Sequence, residues 1–215
     1  MSAQHAEPGF RPPQQARSRE SLQKVLTSAE HVLSTGGIDE FTVAAVAEHA
    51  GVSVGAIYRR FTGKEQLLKA VKDDLLKQLE TGVAEALRAA SPGLRGAIGA
   101  FTDAMARTFS GRTRAFPELL GGQPAEGVER GLQALETIQR ALVESAEPYL
   151  DDVAQHDPRN AVRFAARSII GSCVHRAATC QSWPDGLSWQ AWADATTEMA
   201  MTYLASRPQE PSEVE

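Results

Sequence analysis

The chain has 215 residues, of which 42% are hydrophobic and 23% charged, and its formal net charge is −5. This composition excludes a wholly disordered chain and a collagen-like one, and the length suits one large domain or two small ones. No run of about 18 apolar residues occurs, so no membrane-spanning helix is predicted. The N-terminal stretch lacks the apolar core of a secretory signal, and two cysteines are too few for a disulfide scaffold, so we expect a cytoplasmic protein.

The first part of the chain predicts a short arm followed by a helix. Residues 1–16 are rich in Pro, Gln and Ala without helical periodicity, and we predict that they form a disordered arm. Apolar residues then recur at helical spacing from Leu22 to Leu33, and Gly36 and Gly37 end that pattern. The sequence therefore predicts a first helix that stops at the glycine pair.

Residues 42–61 predict two short helices joined by a tight turn. Thr42 and Ser53 are N-cap residues, and Gly51 lies where a left-handed backbone conformation is needed. Ile57 and Phe61 are four residues apart and form the inner face of the second helix. Two short helices with a glycine-containing turn form a helix-turn-helix motif.

Helices are predicted for most of the remaining chain. The Thr62–Glu65 segment has the form of a capping box before a long helix, and Asp157 and Ser188 are N-cap signals. No stretch alternates convincingly at period two, so we predict an all-α fold. The further helices are predicted at about 94–110, 114–120, 127–150, 158–181 and 188–205. The predicted division is a helix-turn-helix domain at 17–63, a larger helical domain at 64–206, and a loose tail at 207–215.

The outer face of the second short helix is suited to DNA. A helix fits the major groove, and the residues at its N-terminal end reach base edges. Residues 51–72 contain five basic side chains and one acidic side chain, although the whole chain is acidic. The alternative interpretation is a pair of packed helices with a solvated basic face. The predicted DNA-contacting residues are Thr42, Ser53, Val54, Gly55, Tyr58, Arg59, Arg60 and Lys64.

Residues about 17–68 closely resemble the N-terminal DNA-binding domain of the TetR family of transcriptional regulators. The resemblance implies a homodimeric repressor that binds a palindromic operator and is released by a small-molecule ligand. It also implies phosphate contacts for Thr42, Tyr58 and Lys64, and a position near the bases for Val54, Gly55 and Arg59. Ala44 departs from members that carry a longer polar base reader there, which leaves more of the readout to Arg59. The matching residues are Ala29, Gly36, Thr42, Val43, Val46, Ala47, Ala50, Gly51, Val52, Ser53, Gly55, Ala56, Ile57, Tyr58, Phe61, Lys64, Glu65, Leu67 and Leu68.

The C-terminal part is predicted to bind a ligand and a second copy of the chain. The two last helices, about 158–181 and 188–205, carry apolar stripes that suit a core, and the resemblance implies a four-helix dimer interface there. An effector pocket would lie among the middle helices. Its candidate lining residues are Phe101, Met105, Phe109, Phe116, Arg140 and His175, although core packing is the simpler interpretation of the phenylalanines and the methionine.

Two alternatives compete with the regulator. An enzyme would need a nucleophile–base pair or a metal cluster, and the sequence shows no such pattern, so we predict no catalytic residue, metal or cofactor. A helical ligand-binding module with weak or no DNA contact is the other alternative. Cys173 and Cys180 are interpreted as buried small residues, with a thiol sensor or an intersubunit pair as the alternative.

Overall fold

The computed structural model describes residues 14–110, 112, 125–180 and 182–207. Every regular element among them is helical, which confirms the predicted all-α class. The N-terminal helices are α1 (Gln14–Glu40), α2 (Val43–Ala50), α3 (Val54–Tyr58) and α4 (Lys64–Arg88). The others are α5 (Leu94–Ser110), α6 (Ala125–Ala146), a 3-10 turn (Glu147–Asp152), α7 (Pro158–Thr179) and α8 (Trp189–Ala205).

Four predicted segments differ from the structure or lie outside the described residues. Helix α1 begins at Gln14, three residues inside the predicted arm, and residues 1–13 lie outside the described part. The helix predicted at about 114–120 and the tail from 208 onward also lie outside the described residues. The helix predicted at about 127–150 ends at Ala146 and continues as a 3-10 turn with Pro148 in its first turn. Proline lacks the N–H that an α-helix interior requires, which explains the change.

The glycine pair breaks α1 without separating it into two elements. Gly37 has φ 69°, a left-handed conformation, and helical hydrogen bonding resumes as far as Glu40. Because glycine has no Cβ, it adopts this conformation without steric cost. The chain therefore turns at the predicted position.

The predicted capping box at Thr62–Glu65 is wrong. The residue that precedes α4 is Gly63, and no side chain caps that helix end. The N–H of Thr62 instead donates to the side-chain oxygen of Gln66. Gln66 thus accepts the hydrogen bond from the Thr62 N–H that a capping box would assign to Glu65.

Two hydrophobic clusters lie along the chain, and α4 contributes to both. The N-terminal cluster contains Phe41 and Ile57, each with no exposed surface, and the α4 residues Leu67, Val71 and Leu75. The C-terminal cluster begins at the α4 residues Leu79, Val83 and Leu87 and continues through α5–α8. Helix α5 packs against α4, α6, α7 and α8, so it is the central helix of the C-terminal region. One rigid helix thus connects the two regions.

A polar network reinforces this connection. The Nε of Arg112, just beyond α5, forms an ion pair with Glu30 of α1. Its Nη2 donates to Gln78 of α4 (3.1 Å), and Nη1 donates to the carbonyl of Thr108 (3.0 Å). Asp74 of α4 accepts hydrogen bonds from Gln78 (2.8 Å) and from Gln23 of α1 (3.1 Å). The network joins α1, α4 and the end of α5.

Candidate nucleic-acid interface

Helix α2 is fixed at both ends by local interactions. The Ala45 N–H donates to Thr42 Oγ1 (3.0 Å), which is the N-cap bond predicted for Thr42. At the other end Gly51 has φ 60° and ψ 38°, and its N–H bonds back to the carbonyl of Glu48 (3.0 Å). Val46, Ala47 and Ala50 are buried, so α2 presents one apolar face to the N-terminal cluster.

Helix α3 is anchored by one cap and one buried side chain. The Ala56 N–H donates to Ser53 Oγ (3.2 Å), and Ile57 is fully buried. Phe61, just beyond the helix, is buried in the same cluster. A five-residue helix is too short to be stable alone, so its position depends on these contacts.

One face of α3 and the residue after the helix are exposed to solvent. Val54 is 41% exposed and Tyr58 55% exposed, and Gly55 and Arg59 are also exposed. A Cβ placed on Gly55 would meet no atom within 4 Å, so this side of α3 is open. Val54, Gly55, Tyr58 and Arg59 therefore form an unobstructed surface on the second helix of the motif.

Two of the predicted DNA-contacting side chains already have partners within the chain. Lys64 Nζ is half-buried and donates to the carbonyl of Ile38 (2.8 Å). Arg60 Nη2 donates to the carbonyl (3.2 Å) and the hydroxyl (3.1 Å) of Ser18 in α1. Both groups have further N–H donors, since an ammonium has three and a guanidinium five.

The basic cluster within 51–72 is smaller at the surface than in the sequence. Arg59, Arg60 and Lys69 are exposed, but the side chain of Lys72 is buried. Burial lowers the pKa of the Lys72 ammonium, and the neighbouring Asp73 partly opposes this by raising it. Lys72 is thus part of the packing of α4.

Ala44 and a histidine pair complete the described surface of α2. Ala44 is exposed and offers no polar group, as the sequence indicates. His49 of α2 stacks on His31 of α1, with ring centroids 4.3 Å apart and an interplanar angle of 24°. This pair links α2 to the first helix of the same region.

The predicted ligand-pocket residues do not come together at one described site. Phe101, Met105 and Phe109 are buried in the C-terminal cluster, whereas Arg140 is exposed on α6 and lies 4.0 Å from Glu144. His175 is exposed on α7, and its ring is nearly perpendicular to that of Trp183, with the ring centroids 6.2 Å apart. Phe116 lies outside the described residues.

Cavities lined by described residues lie along the C-terminal helices. An apolar groove of about 170 Å³ between α7 and α8 includes Phe164 and Met199. A second cavity of about 390 Å³ lies between α6 and α7. The third, of about 380 Å³, includes His175 together with Ser172, Arg176, Trp183 and Trp192. The sequence pattern does not reveal these four neighbours of His175, because they belong to two helices and a turn that only the tertiary fold brings together.

The two cysteines differ in environment. Cys173 is fully buried, and burial raises the pKa of its thiol far above the ordinary range, with Arg176 exerting a weaker opposite effect. Cys180 is half-buried, and both thiols are free. Among the described residues no group of three or more metal-ligating side chains occurs, and no helix is long and apolar enough to cross a membrane.

Comparison with known proteins gives matches to bacterial regulators. Residues 25–71 match the family model of the tetR family of bacterial regulatory proteins. BetI of Cronobacter sakazakii, an HTH-type transcriptional regulator, is 37% identical over 75 residues, which span 35% of each chain. BetI 2 of Chromohalobacter salexigens is 29% identical over 187 residues, covering 85% of this chain and 86% of that protein. The structure of FadR from Bacillus subtilis in complex with stearoyl-CoA has a TM-score of 0.66 at 17% identity, and the match covers 85% of this chain and 98% of that one.

Together the capped helix pair, the open face of α3 and the larger helical region define a helix-turn-helix transcriptional regulator. Within that class, residues 25–71 of the chain match the tetR family of bacterial regulatory proteins, and BetI 2 is similar over 85% of the chain. Both BetI relatives are HTH-type transcriptional regulators.

Proposed function

We propose that the protein is a homodimeric repressor that inserts α3 into the major groove of a palindromic operator and is released by a small-molecule ligand. The observation that carries this proposal is the arrangement of α3. Ile57 fixes one side of the helix in the core, and Val54, Tyr58 and Arg59 project from the other. This combination of a fixed inner face and an open outer face is what groove binding requires.

The proposed contacts divide into those to bases and those to phosphates. Val54 and Gly55 lie in the first turn of α3, where they could meet a thymine methyl group and allow close approach of the backbone. Arg59 is the long basic donor of this face and is assigned to a guanine edge. Tyr58, and Thr42 at the start of α2, are assigned to phosphates, since hydroxyl groups and helix N-termini commonly hold them.

Lys64 and Arg60 are assigned to flanking phosphates through their remaining donors. Their contacts with Ile38 and Ser18 hold each side chain close to α1. Ser53 has a supporting role, because its hydroxyl caps α3 and fixes the angle at which the helix is presented.

A second copy of the chain is proposed to cover the groove between α7 and α8. Phe164 is 57% exposed and Met199 56% exposed, and both line the apolar groove of about 170 Å³. Large side chains exposed together on adjacent helices are typical of a protein interface. Dimerisation there would present two α3 helices to half-sites one helical turn, about 34 Å, apart.

Release is proposed to act through α4. This helix is part of both hydrophobic clusters, and the network around Arg112 connects it to α1 and α5. A ligand that displaces α4 or the end of α5 would therefore move the whole N-terminal region. A small rigid-body change would separate one α3 from its half-site.

The test is a fluorescence anisotropy titration of the purified full chain with DNA from upstream of its own gene and with scrambled DNA, at several salt concentrations. We expect saturable, sequence-selective binding whose affinity falls steeply with salt. Arg59→Gln should reduce the preference for the selected DNA by roughly 5- to 100-fold, as expected for loss of a guanine contact. Lys64→Ala should lower the slope of log affinity against log salt by about 0.9.

Lys77→Gln is the matched control, since Lys77 is exposed on α4 beyond the N-terminal cluster. It should leave both the preference and the slope nearly unchanged. If Arg59→Gln and Lys77→Gln behave alike, α3 does not read the operator. If the chain binds no DNA more tightly than scrambled DNA in a genome-wide selection, the helical ligand-binding module is the better description.

A further inference from the structure

One buried cation of the C-terminal region has an unsatisfied donor. Arg176 of α7 is only 8% exposed. Its Nε and Nη2 donate to the two carboxylate oxygens of Asp185 (3.1 and 3.0 Å), Nη2 also donates to the carbonyl of Leu187 (2.6 Å), and the guanidinium lies 4.5 Å from the ring centroid of Trp189. Nη1 is buried and has no hydrogen-bond partner.

An unpartnered guanidinium nitrogen is costly, because burial removes the water that would otherwise accept its hydrogen bonds. Among the buried side-chain nitrogen and oxygen atoms of the described residues, it is the one without a partner. Asp185 satisfies the opposite edge of the same guanidinium and cannot also reach Nη1. The described residues therefore supply no hydrogen-bond acceptor for Nη1.

Arg176 is part of the wall of the cavity of about 380 Å³, a volume near the lower end of ligand pockets. The other polar side chains of this wall are Ser172, His175, Thr179 and Asp185, and the Asp185 carboxylate is already paired with Arg176. Ser172 Oγ accepts from the indole N–H of Trp192 (3.1 Å), which leaves its own hydroxyl proton to donate. The indoles of Trp183 and Trp192 supply the apolar part.

We propose that this cavity binds a small aromatic carboxylate. The carboxylate accepts a hydrogen bond from Nη1 of Arg176, and the aromatic ring lies against the indoles. A carboxylate is favoured over a neutral acceptor because charge-assisted hydrogen bonds to guanidinium are the stronger ones. Nη1 has no solvent contact, so a lining side chain must move for the ligand to reach it. Trp183 is 73% exposed on the turn before α8, and its displacement breaks no core contact.

This binding does not require that the protein bind DNA. Only the further step, that an aromatic carboxylate is the effector, rests on the proposed function. His175, a predicted pocket residue, also lines this cavity, and its imidazole is exposed.

Intrinsic fluorescence tests the proposal, because the three tryptophans of the chain, Trp183, Trp189 and Trp192, all lie in or beside the cavity. The full chain is titrated with benzoate and, as a neutral analogue of the same shape, with benzamide, without DNA. We expect a saturable change with benzoate and at least about tenfold weaker binding of benzamide. Arg176→Gln should weaken benzoate binding by roughly tenfold or more, whereas Arg163→Gln, an exposed arginine of α7 outside the cavity, should not.

A second variant covers the case in which Arg176→Gln fails to fold. Trp183→Leu changes an exposed side chain and should weaken benzoate binding severalfold while the helical circular dichroism is kept. The proposal is overturned by the absence of a saturable change with benzoate, by equal binding of benzoate and benzamide, or by unchanged binding in Trp183→Leu. Because DNA is absent, none of these outcomes depends on whether the chain recognises an operator.

Discussion

The helix-turn-helix segment at residues 42–61 and the cavity around Arg176 are held together by contacts that span very different distances along the sequence. In residues 42–61 each helix cap joins residues three positions apart, Thr42 with Ala45 and Ser53 with Ala56. In the cavity, Arg176 pairs with Asp185 nine positions away, and Trp192 bonds Ser172 across twenty. Short-range contacts are visible in a sequence pattern, whereas the cavity exists only after the helices have packed.

The two regions also differ in what holds them together. Helix α3 has five residues and depends on one fully buried anchor, Ile57. The C-terminal region has a continuous core through four helices and the second half of α4. We therefore expect the N-terminal region to be the less stable of the two, and the following predictions test that difference.

The largest effect is expected from Ile57→Ala. Removing a fully buried isoleucine costs about 2–5 kcal/mol through lost burial and the remaining cavity. Urea unfolding followed by far-UV circular dichroism reports all helices, whereas tryptophan fluorescence reports only residues 183–192. We expect the circular dichroism transition to move to lower urea and to separate from the fluorescence transition.

Ile98→Ala is the matched control, since Ile98 of α5 is equally buried in the C-terminal cluster. Ile98→Ala should move the tryptophan fluorescence transition to lower urea, because Ile98 and Trp192 lie in the same cluster. If Ile57→Ala moves both signals together by the same amount, the chain unfolds as one cooperative unit and the contrast in stability does not hold.

A smaller effect is expected from Gly51→Ala. A left-handed conformation such as φ 60° costs a residue with a Cβ about 1–2 kcal/mol. A Cβ at Gly51 would meet only Lys24 Nζ, at an ordinary 3.7 Å, so the expected loss of unfolding free energy comes from the backbone. Denaturant unfolding measures it.

Gly55→Ala is expected to change the free energy of unfolding in the opposite direction to Gly51→Ala. Gly55 lies inside α3 in open space, so alanine should stabilise that helix by up to about 1 kcal/mol. It also adds a methyl group to the proposed groove-facing surface, and operator affinity should fall while stability rises. Destabilisation by both substitutions would contradict the assignment of strain to Gly51 alone.

The sequence predicts short-range contacts such as helix caps better than it predicts long-range contacts. The caps at Thr42, Ser53, Asp157 and Ser188 were predicted because cap residue and first turn are neighbours in the chain. The capping box at Thr62 failed because Gln66 competed with Glu65 for the same N–H, and the pattern does not decide between them.

Side-chain environment was harder to predict than helix position. Arg140 and Arg176 both lie on amphipathic helices, yet one is exposed and the other buried. The difference arises from the turn before α8, which brings Asp185 and Trp189 against Arg176. Lys72 was counted with the basic cluster, but α4 turns it towards the interior. Helical periodicity alone did not identify which arginine or lysine the tertiary fold would bury.

The smallest expected effect concerns the ion pair between Glu30 and Arg112, which joins the two regions. Both side chains are largely but not fully buried, at 18% and 25% exposure, so we expect a coupling energy of about 1 kcal/mol in a double-mutant cycle of Glu30→Gln and Arg112→Gln. The exposed pair Arg95 and Glu198 lies wholly within the C-terminal region and is the control. Breaking the Glu30–Arg112 pair should widen the gap between the circular dichroism and fluorescence transitions, because α1 then depends on α4 alone for its connection to the C-terminal core. Breaking the control pair should leave that gap unchanged. A coupling near zero with no wider gap would mean that α4 carries the connection by itself, and the proposed release by ligand would then act through that one helix.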